Sequence, residues 1–143
     1  MNLDESKLTL TVVPDAQSLG MLGEAPGLTS TSGAAGTYDP ADNASLKAAH
    51  VGSTNPGFGN GDCPTPPDPT KTWGWHFVLP GNSTTFVSID VDFQNDGFTS
   101  HVPFVSFPSG KHAYVYTSGP DTLLGAKAVV NGTQTVFNLS HVC

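Results

Sequence analysis

Five histidines are the side chains of this sequence best suited to proton transfer or metal binding at neutral pH. They are His50, His76, His101, His112 and His141. Side chains alternate between the two faces of a strand, so His76 falls opposite Trp75 and Phe77. A metal site built from two or three histidines with Asp90 or Asp92 is one interpretation. No pair has the short spacing of a zinc motif, so we favour isolated polar histidines and expect no metal and no cofactor.

A second candidate site resembles half of a calcium-binding loop. Asp92, Gln94, Asp96 and Gly97 have the spacing of the first ligands, but Pro103 stands where the acidic twelfth ligand is required. Asn95-Asp96-Gly97 is also a strong tight-turn signal. We therefore interpret this stretch as a turn.

Nothing in the sequence marks a nucleophilic active site. It contains no Gly-x-Ser-x-Gly motif, and Ser, His and Asp are common enough for accidental triads. We therefore predict no catalytic residue and a protein that is not an enzyme.

The aromatic side chains allow a different function. Trp73, Tyr114 and Tyr116 could form a flat surface on which sugar rings stack, with polar groups nearby to hydrogen-bond them. Trp75 and Phe77 share a face with Trp73, and a domain of this size needs such bulk in its core. We predict that Trp75 and Phe77 are core, and keep a carbohydrate-binding module as the alternative function.

Cys63 and Cys143 are the only cysteines, and neither lies in a metal-binding spacing. One structural disulfide is the simplest interpretation, and two free thiols are the alternative. A disulfide indicates an oxidising compartment, so we expect an extracellular or cell-surface location.

Four asparagines occupy Asn-x-Ser/Thr sequons, which suit a glycosylated extracellular surface. They are Asn43, Asn82, Asn131 and Asn138. The sequence shows no signal peptide and no apolar run long enough to span a membrane, as expected of a secreted chain without its leader.

The charge of the chain excludes one class of partner. The net charge is −7, with five lysines, no arginine and twelve acids, and the lysines are scattered. Binding to nucleic acid or an anionic membrane needs clustered cationic side chains. We therefore expect neither nucleic acid binding nor membrane insertion.

The second half of the chain has the pattern of antiparallel strands. The clearest part is a predicted β-hairpin formed by Trp73 to Leu79 and Phe86 to Phe93 around Pro80-Gly81-Asn82-Ser83. Asn131-Gly132 predicts a second tight hairpin. The full set of seven predicted strands is Lys7–Val13, Trp73–Leu79, Phe86–Phe93, Phe98–Phe107, Lys111–Ser118, Leu123–Val130 and Thr133–Val142. This spacing is typical of an all-β, immunoglobulin-like or transthyretin-like antiparallel β-sandwich.

The first half is poorer in strand signals. Asp15 to Thr37 predicts a long loop, and Asp39-Pro40 before Asn43 to His50 has the capping pattern of one short helix. Val51 to Lys71 is rich in Pro and Gly and predicts a surface loop. We expect a single domain over residues 1–143, with a loop-rich part over 1–71 and a strand-rich core over 72–143.

The pieces GWHFVLP, PSGKHAYVYT, DTLLGA and FNLSHVC resemble β-sandwich modules of secreted or cell-wall-attached surface proteins of Gram-positive bacteria, especially actinobacteria. The resemblance covers Trp73 to Cys143 only. It implies an extracellular, non-enzymatic module. We expect this module to have a structural, adhesive or assembly role. The strand of Leu8, Leu10 and Val12 would either close its own sandwich or pair with the exposed edge of another copy, and other surface components and glycans are further expected partners.

Overall fold

The structure is a computed structural model that describes residues 36–81 and 83–143. These residues form an all-β fold, which confirms the predicted class. Eight strands are present: β1 Ala44–Leu46, β2 Thr54–Asn55, β3 Trp73–Val78, β4 Thr85–Phe93, β5 Gly97–Thr99, β6 His112–Thr117, β7 Asp121–Asn131 and β8 Val136–Val142. Within the described ranges the one helical element is a 3₁₀ turn, Ala48–His50. The predicted strand Lys7–Val13 lies outside the described residues.

The strands form one curled, mixed sheet in the order β5-β4-β7-β1-β8-β3-β6, with β2 added beside β7. The short strand β1 is antiparallel to β7 and parallel to β8. The prediction of a wholly antiparallel arrangement is therefore wrong at β1.

The predicted central hairpin is also wrong. β3 pairs with β6 and β8, and β4 pairs with β5 and β7, so three strands separate β3 from β4 in the sheet. The rings of Trp75 on β3 and Phe93 on β4 pack with centroids 4.9 Å apart. Each of these two strands has an apolar inner face. The strands bury these faces against each other across the core.

The two predicted tight turns have different outcomes. Asn95-Asp96-Gly97 does connect a hairpin, β4 to β5, and Gly97 has the positive φ that such a turn requires. Asn131-Gly132 does not join paired strands, because β1 lies between β7 and β8. β1 is held there by backbone hydrogen bonds from Ser45 N to Thr135 O and from Lys47 N to Phe137 O.

The predicted helix over Asp39 to His50 is wrong except for its last turn. Asp39 forms a turn, in which its carboxylate accepts a hydrogen bond from Ala41 N, and the chain then enters β1. Ala44 and Leu46 are both buried, while the residue between them is exposed. Pairing with two strands and burial of one face outweigh the local helix signal.

The predicted strand Phe98–Phe107 ends at Thr99. The backbone then turns sharply at His101, whose φ is +53°. Ser100 and His101 are drawn to the side chain of Asp90, and Val105 alone returns to pair with Tyr114 as an isolated bridge. A buried carboxylate therefore redirects a segment that its own sequence predicts to be extended.

The core lies on the inner face of the curled sheet and contains large apolar side chains from strands along its whole width. Trp75 and Phe77 are fully buried, as predicted, and Phe77 packs edge-on against Phe137. Trp75 Nε1 donates a hydrogen bond to Thr117 Oγ1 at 3.1 Å. Burying one such side chain stabilises the fold by about 1.5–3 kcal/mol.

Candidate functional site

Three of the five histidines meet on the face of β3, β6 and β8 that points away from the core. His76 is paired with Tyr114 on one side and with His141 on the other, and His112 is on the same face of β6 as Tyr114. We call His76, His112, His141 and Tyr114 the histidine face. Side chains alternate between the two faces of β3. Because Trp75 and Phe77 fill the core, His76 points to the other side.

A β-bulge brings His141 into the histidine face. Phe77 is paired with Leu139 but His76 with His141, so Ser140 is an extra residue in β8. Strict alternation would place His141 on the buried face with Phe137 and Leu139. The extra residue reverses the phase, so that His141 points outward and Val142 is buried.

The three imidazoles form a continuous chain of short contacts. His76 Nδ1 lies 3.3 Å from His141 Nδ1, and His76 Nε2 lies 3.0 Å from His112 Nδ1. At the end of this chain His141 Nε2 lies 2.7 Å from the backbone oxygen of Asp62. The ring of Tyr114 stacks on His76, with centroids 4.2 Å apart and planes 5° apart.

This chain of contacts assigns the tautomer of each neutral ring. A carbonyl oxygen only accepts, so His141 must donate from Nε2 to Asp62 and keep a lone pair on Nδ1. His76 therefore donates from Nδ1 to His141. Its Nε2 is then an acceptor, so His112 donates to it from Nδ1. The hydrogen bonds run in one direction, from His112 through His76 and His141 to Asp62.

Burial disfavours the charged forms of His76 and His112. His76 is 6% exposed, and burial together with the nearby His141 and His112 lowers its pKa to about 4. Burial and the nearby Lys111 also lower the pKa of His112 below its ordinary value. Adding a proton to His76 Nε2 would place it against the Nδ1–H of His112, so this chain of hydrogen bonds requires a neutral His76.

The predicted disulfide is present and lies beside the histidine face. Cys63 and Cys143 are bonded, with Cα atoms 6.1 Å apart. Gly74 exchanges two backbone hydrogen bonds with Cys143, and a Cβ at Gly74 would lie 2.8 Å from the Cys63 sulfur, so only glycine fits. Asp62 precedes Cys63, and the bond from His141 to Asp62 adds a second link between this loop and β8.

A second group of ionisable side chains lies at the other end of the sheet. It consists of Asp39, Asp42, Asp90 and Asp92, which we call the carboxyl cluster. Asp90 is fully buried and accepts hydrogen bonds from Asp39 N, Ser100 Oγ and His101 N at 2.8–2.9 Å. These bonds tie the segment before β1 and the segment after β5 to the middle of β4.

Two carboxyl groups of this cluster differ in protonation. Both side-chain oxygens of Asp42 are buried and have no hydrogen-bond partner among the described residues. Burial and the nearby carboxyl groups of Asp90 and Asp39 raise the pKa of Asp42 to about 7. Asp90 is buried too, but the nearby acid of Asp42 and the hydrogen bonds from Asp39 N and His101 N lower its pKa to about 2. Asp42 is the acid of the pair and Asp90 the carboxylate.

Two further groups complete the carboxyl cluster. Asp92 is 8% exposed, one of its oxygens has no partner among the described residues, and burial raises its pKa. Burial and the nearby charges of Asp92, Asp90 and Asp42 raise the pKa of Tyr38, and the Lys127 ammonium lies 5.3 Å from its ring centroid. On the outer side, His101 Nε2 forms an ion pair with Asp39 at 2.8 Å. The cluster is a buried structural junction with one exposed ion pair.

The half calcium loop is not assembled as a cation site. The Asp96 carboxylate accepts hydrogen bonds from Ser118 N and Ser118 Oγ, and Asp121 accepts from Asn95 N and Asp96 N. Asp92 lies in the carboxyl cluster. In residues 36–81 and 83–143 no three His, Cys, Asp or Glu side chains are grouped to hold one metal ion.

The three predicted sugar-stacking rings do not form one surface. Trp73 is paired with Thr117, whereas Tyr116 is paired with Gly74, so Trp73 points to the opposite face from Tyr114 and Tyr116. Both tyrosines are buried, with exposures of 6% and 9%, and Tyr116 Oη donates to Pro64 O at 2.6 Å. The proline-rich loop therefore covers the ring that was expected to meet a ligand.

The sequons lie in different environments. Asn131 is exposed and Asn138 is partly exposed. The Asn43 side chain donates to Val130 O and accepts from Val130 N, which attaches it to β7. Asn82 lies outside the described residues.

No protein-family model, curated protein or solved structure matches this chain. In the described part of the chain, no helix is long and apolar enough to cross a membrane.

Proposed function

We propose that this chain is a secreted, non-enzymatic β-sandwich module, immunoglobulin-like or transthyretin-like, with a structural or adhesive role at a cell surface. The observation that carries the proposal is the Cys63–Cys143 disulfide, which uses both cysteines of the chain. Such bonds persist in oxidising compartments outside the cytosol. The four sequons and the low charge density support the same location.

The position of the disulfide suits a module exposed to proteases and mechanical load. It joins residues 80 positions apart and fastens a proline-rich loop to the end of the last strand. Closing such a loop limits the unfolded chain and stabilises the fold by about 4–5 kcal/mol in the chain-entropy model. The loop is also attached through Tyr116 to Pro64 and through His141 to Asp62.

The proposed partners are other copies of the chain or other surface components. The resemblance of Trp73 to Cys143 to bacterial surface modules supports this role. The two edges of the sheet are β5, which has three residues, and β6, where Tyr114 is already bonded to Val105. A strand from a neighbour, such as that of Leu8, Leu10 and Val12, would add to one of these edges.

The location is tested by producing the full chain in an oxidising compartment and labelling thiols before and after reduction. We expect no labelling before reduction and two labelled cysteines after it. The Cys63→Ser, Cys143→Ser double variant should show higher protease sensitivity at equal protein concentration. Two reactive thiols in the secreted protein would contradict the proposal.

The role at the surface is tested by measuring mass in solution over a range of concentrations and binding of the protein to isolated cell walls and to free glycans. Self-association or saturable binding to cell walls supports a structural or adhesive role. Removing residues 1–13 should abolish self-association if the N-terminal strand mediates it. Saturable binding to a purified glycan would favour carbohydrate recognition instead, and turnover of that glycan would overturn the non-enzymatic assignment.

A further inference from the structure

Two ring nitrogens of the histidine face have the separation of metal ligands. His76 Nδ1 and His141 Nδ1 lie 3.3 Å apart. Two nitrogens bound to one tetrahedral zinc ion, each at 2.0–2.1 Å, are about 3.3 Å apart. The pair therefore already has the separation that a shared metal ion would impose.

The opposite nitrogen of each ring also has the partner that a metal-bound histidine needs. Ligating histidines almost always donate their second N–H to an acceptor, which fixes the ring and increases its basicity. His141 Nε2 donates to the backbone oxygen of Asp62 at 2.7 Å. His76 Nε2 lies 3.0 Å from His112 Nδ1, which can accept once His112 changes tautomer. We propose that His76 and His141 bind a divalent transition-metal ion of the Zn²⁺ class through their Nδ1 atoms.

Metal binding requires a defined rearrangement of protons. In the metal-free chain of hydrogen bonds His76 carries its proton on Nδ1, where the metal would bind. That proton moves to Nε2, from which His76 donates to His112 Nδ1, and the proton of His112 moves from Nδ1 to Nε2. All three rings stay neutral, so no proton is released and each metal–nitrogen bond uses a lone pair.

The donor set selects the class of metal. Neutral imidazole nitrogens suit zinc, copper and nickel, whereas calcium and magnesium require oxygen ligands. Water completes the coordination, and the exposed Ser140 hydroxyl lies 3.4 Å from His141 Nδ1 on the same side. His141 is partly exposed, which gives an ion access to the pair. The site is independent of the proposed surface role.

The first experiment is calorimetric titration of Zn²⁺ into the full, oxidised, chelator-treated chain at pH 7.5. We expect one ion per chain. His141→Gln is the key variant, since the glutamine amide can still donate to Asp62 O but offers no Nδ1 lone pair, and it should abolish binding. His112→Phe removes the nitrogen that would accept the hydrogen bond from His76 Nε2 and should weaken binding about 10-fold. His101→Gln, outside the histidine face, should bind as the natural chain does.

The second measurement follows the ring nitrogens directly by ¹⁵N NMR. Without metal, His76 should carry its proton on Nδ1, and with Zn²⁺ on Nε2, which a merely structural role would not produce. The variants must keep the thermal unfolding midpoint of the natural chain in the absence of metal, and a folded His76→Gln variant provides an independent loss of ligand. Binding that survives His141→Gln, binding lost in His101→Gln, or an unchanged His76 tautomer would overturn the proposal.

Discussion

The histidine face and the carboxyl cluster each bring several like ionisable groups together, but they require opposite proton counts. His76 uses both ring nitrogens in the chain of hydrogen bonds, one as donor and one as acceptor, so it must not gain a proton. Asp90 and the carboxyl oxygens of Asp42 are buried, and the raised pKa of Asp42 means that this residue keeps its proton. The same burial that excludes a charge from His76 retains an acid proton on Asp42.

A change of pH should therefore affect the stability of the two regions in opposite directions. A histidine with a lowered pKa stabilises the fold above its unfolded value, and this contribution is lost as pH falls. An aspartate with a raised pKa stabilises the fold at low pH, and this contribution is lost as pH rises. Both changes fall between about pH 4 and pH 7. They oppose each other, so the natural chain should show a shallow dependence of stability on pH in this window.

The largest effect should come from removing the buried carboxylate. Asp90→Ala leaves Asp39 N, Ser100 Oγ and His101 N without their acceptor. We expect a loss of about 3–5 kcal/mol in the free energy of unfolding at pH 7, measured by urea denaturation. Asp68→Ala, which removes an exposed aspartate bonded only to Thr70, should change stability by less than about 0.5 kcal/mol. Equal effects of the two substitutions would contradict the role of Asp90 as a junction.

The second-largest effect should come from replacing Asp42, the acid that keeps its proton. The contribution of Asp42 is complete below about pH 3.8 and is lost as pH rises to about 7. Asp42→Asn replaces the acid with an amide that stays neutral at every pH. We expect this variant to match the natural chain near pH 4 and to exceed it above pH 7, by up to about 4 kcal/mol. Urea denaturation from pH 4 to pH 8 measures the difference, and an unchanged pH slope would exclude a raised pKa of Asp42.

A substitution on the histidine face, studied in a chelating buffer, should change the pH dependence of stability in the opposite direction. His76 faces His112 and Tyr114 on β6 and His141 on β8, and its contribution is complete above pH 6.5 and lost as pH falls to about 4. His76→Phe keeps a ring against Tyr114 but cannot titrate. We expect it to remove up to about 3 kcal/mol of the acid-induced loss of stability.

The two titrating clusters can be separated by combining these variants. Stability should fall with rising pH in His76→Phe and rise with pH in Asp42→Asn. The double variant should be nearly independent of pH between 4 and 7. Slopes of the same sign in both single variants would contradict the opposition of the two regions.

The sequence predicts which face of a strand is apolar, but it does not specify which strand lies beside it. Alternation correctly predicted that Trp75 and Phe77 are core and that His76 points the other way. It failed for His141, because one extra residue, Ser140, reverses the phase of β8 at a bulge that no local pattern announces. The histidine face was therefore only half visible in the sequence.

The carboxyl cluster was hidden for a different reason. Its members come from a segment with helix-capping residues and from the middle of β4, and Asp39 and Asp90 are 51 positions apart. Only the insertion of β1 between β7 and β8 brings them together, and a strand of three residues has too few positions to show a period. Asp39 was predicted to cap a helix, whereas it forms a turn, and its bond to Asp90 depends on tertiary contacts.

The smallest predicted effect concerns the one exposed ion pair at the edge of the carboxyl cluster. His101 Nε2 lies 2.8 Å from the Asp39 carboxylate, and this bond, with the charges of Asp39, Asp90 and Asp42, raises the pKa of His101. Because both partners meet water, we expect little change in stability when the pair is broken. Asp39→Asn should nevertheless lower the pKa of His101 toward 6.5 while leaving that of His112 unchanged. ¹H NMR titration of the imidazole resonances measures both, and a His101 pKa that does not respond to Asp39→Asn would show that the buried carboxylates, rather than the surface contact, hold its proton.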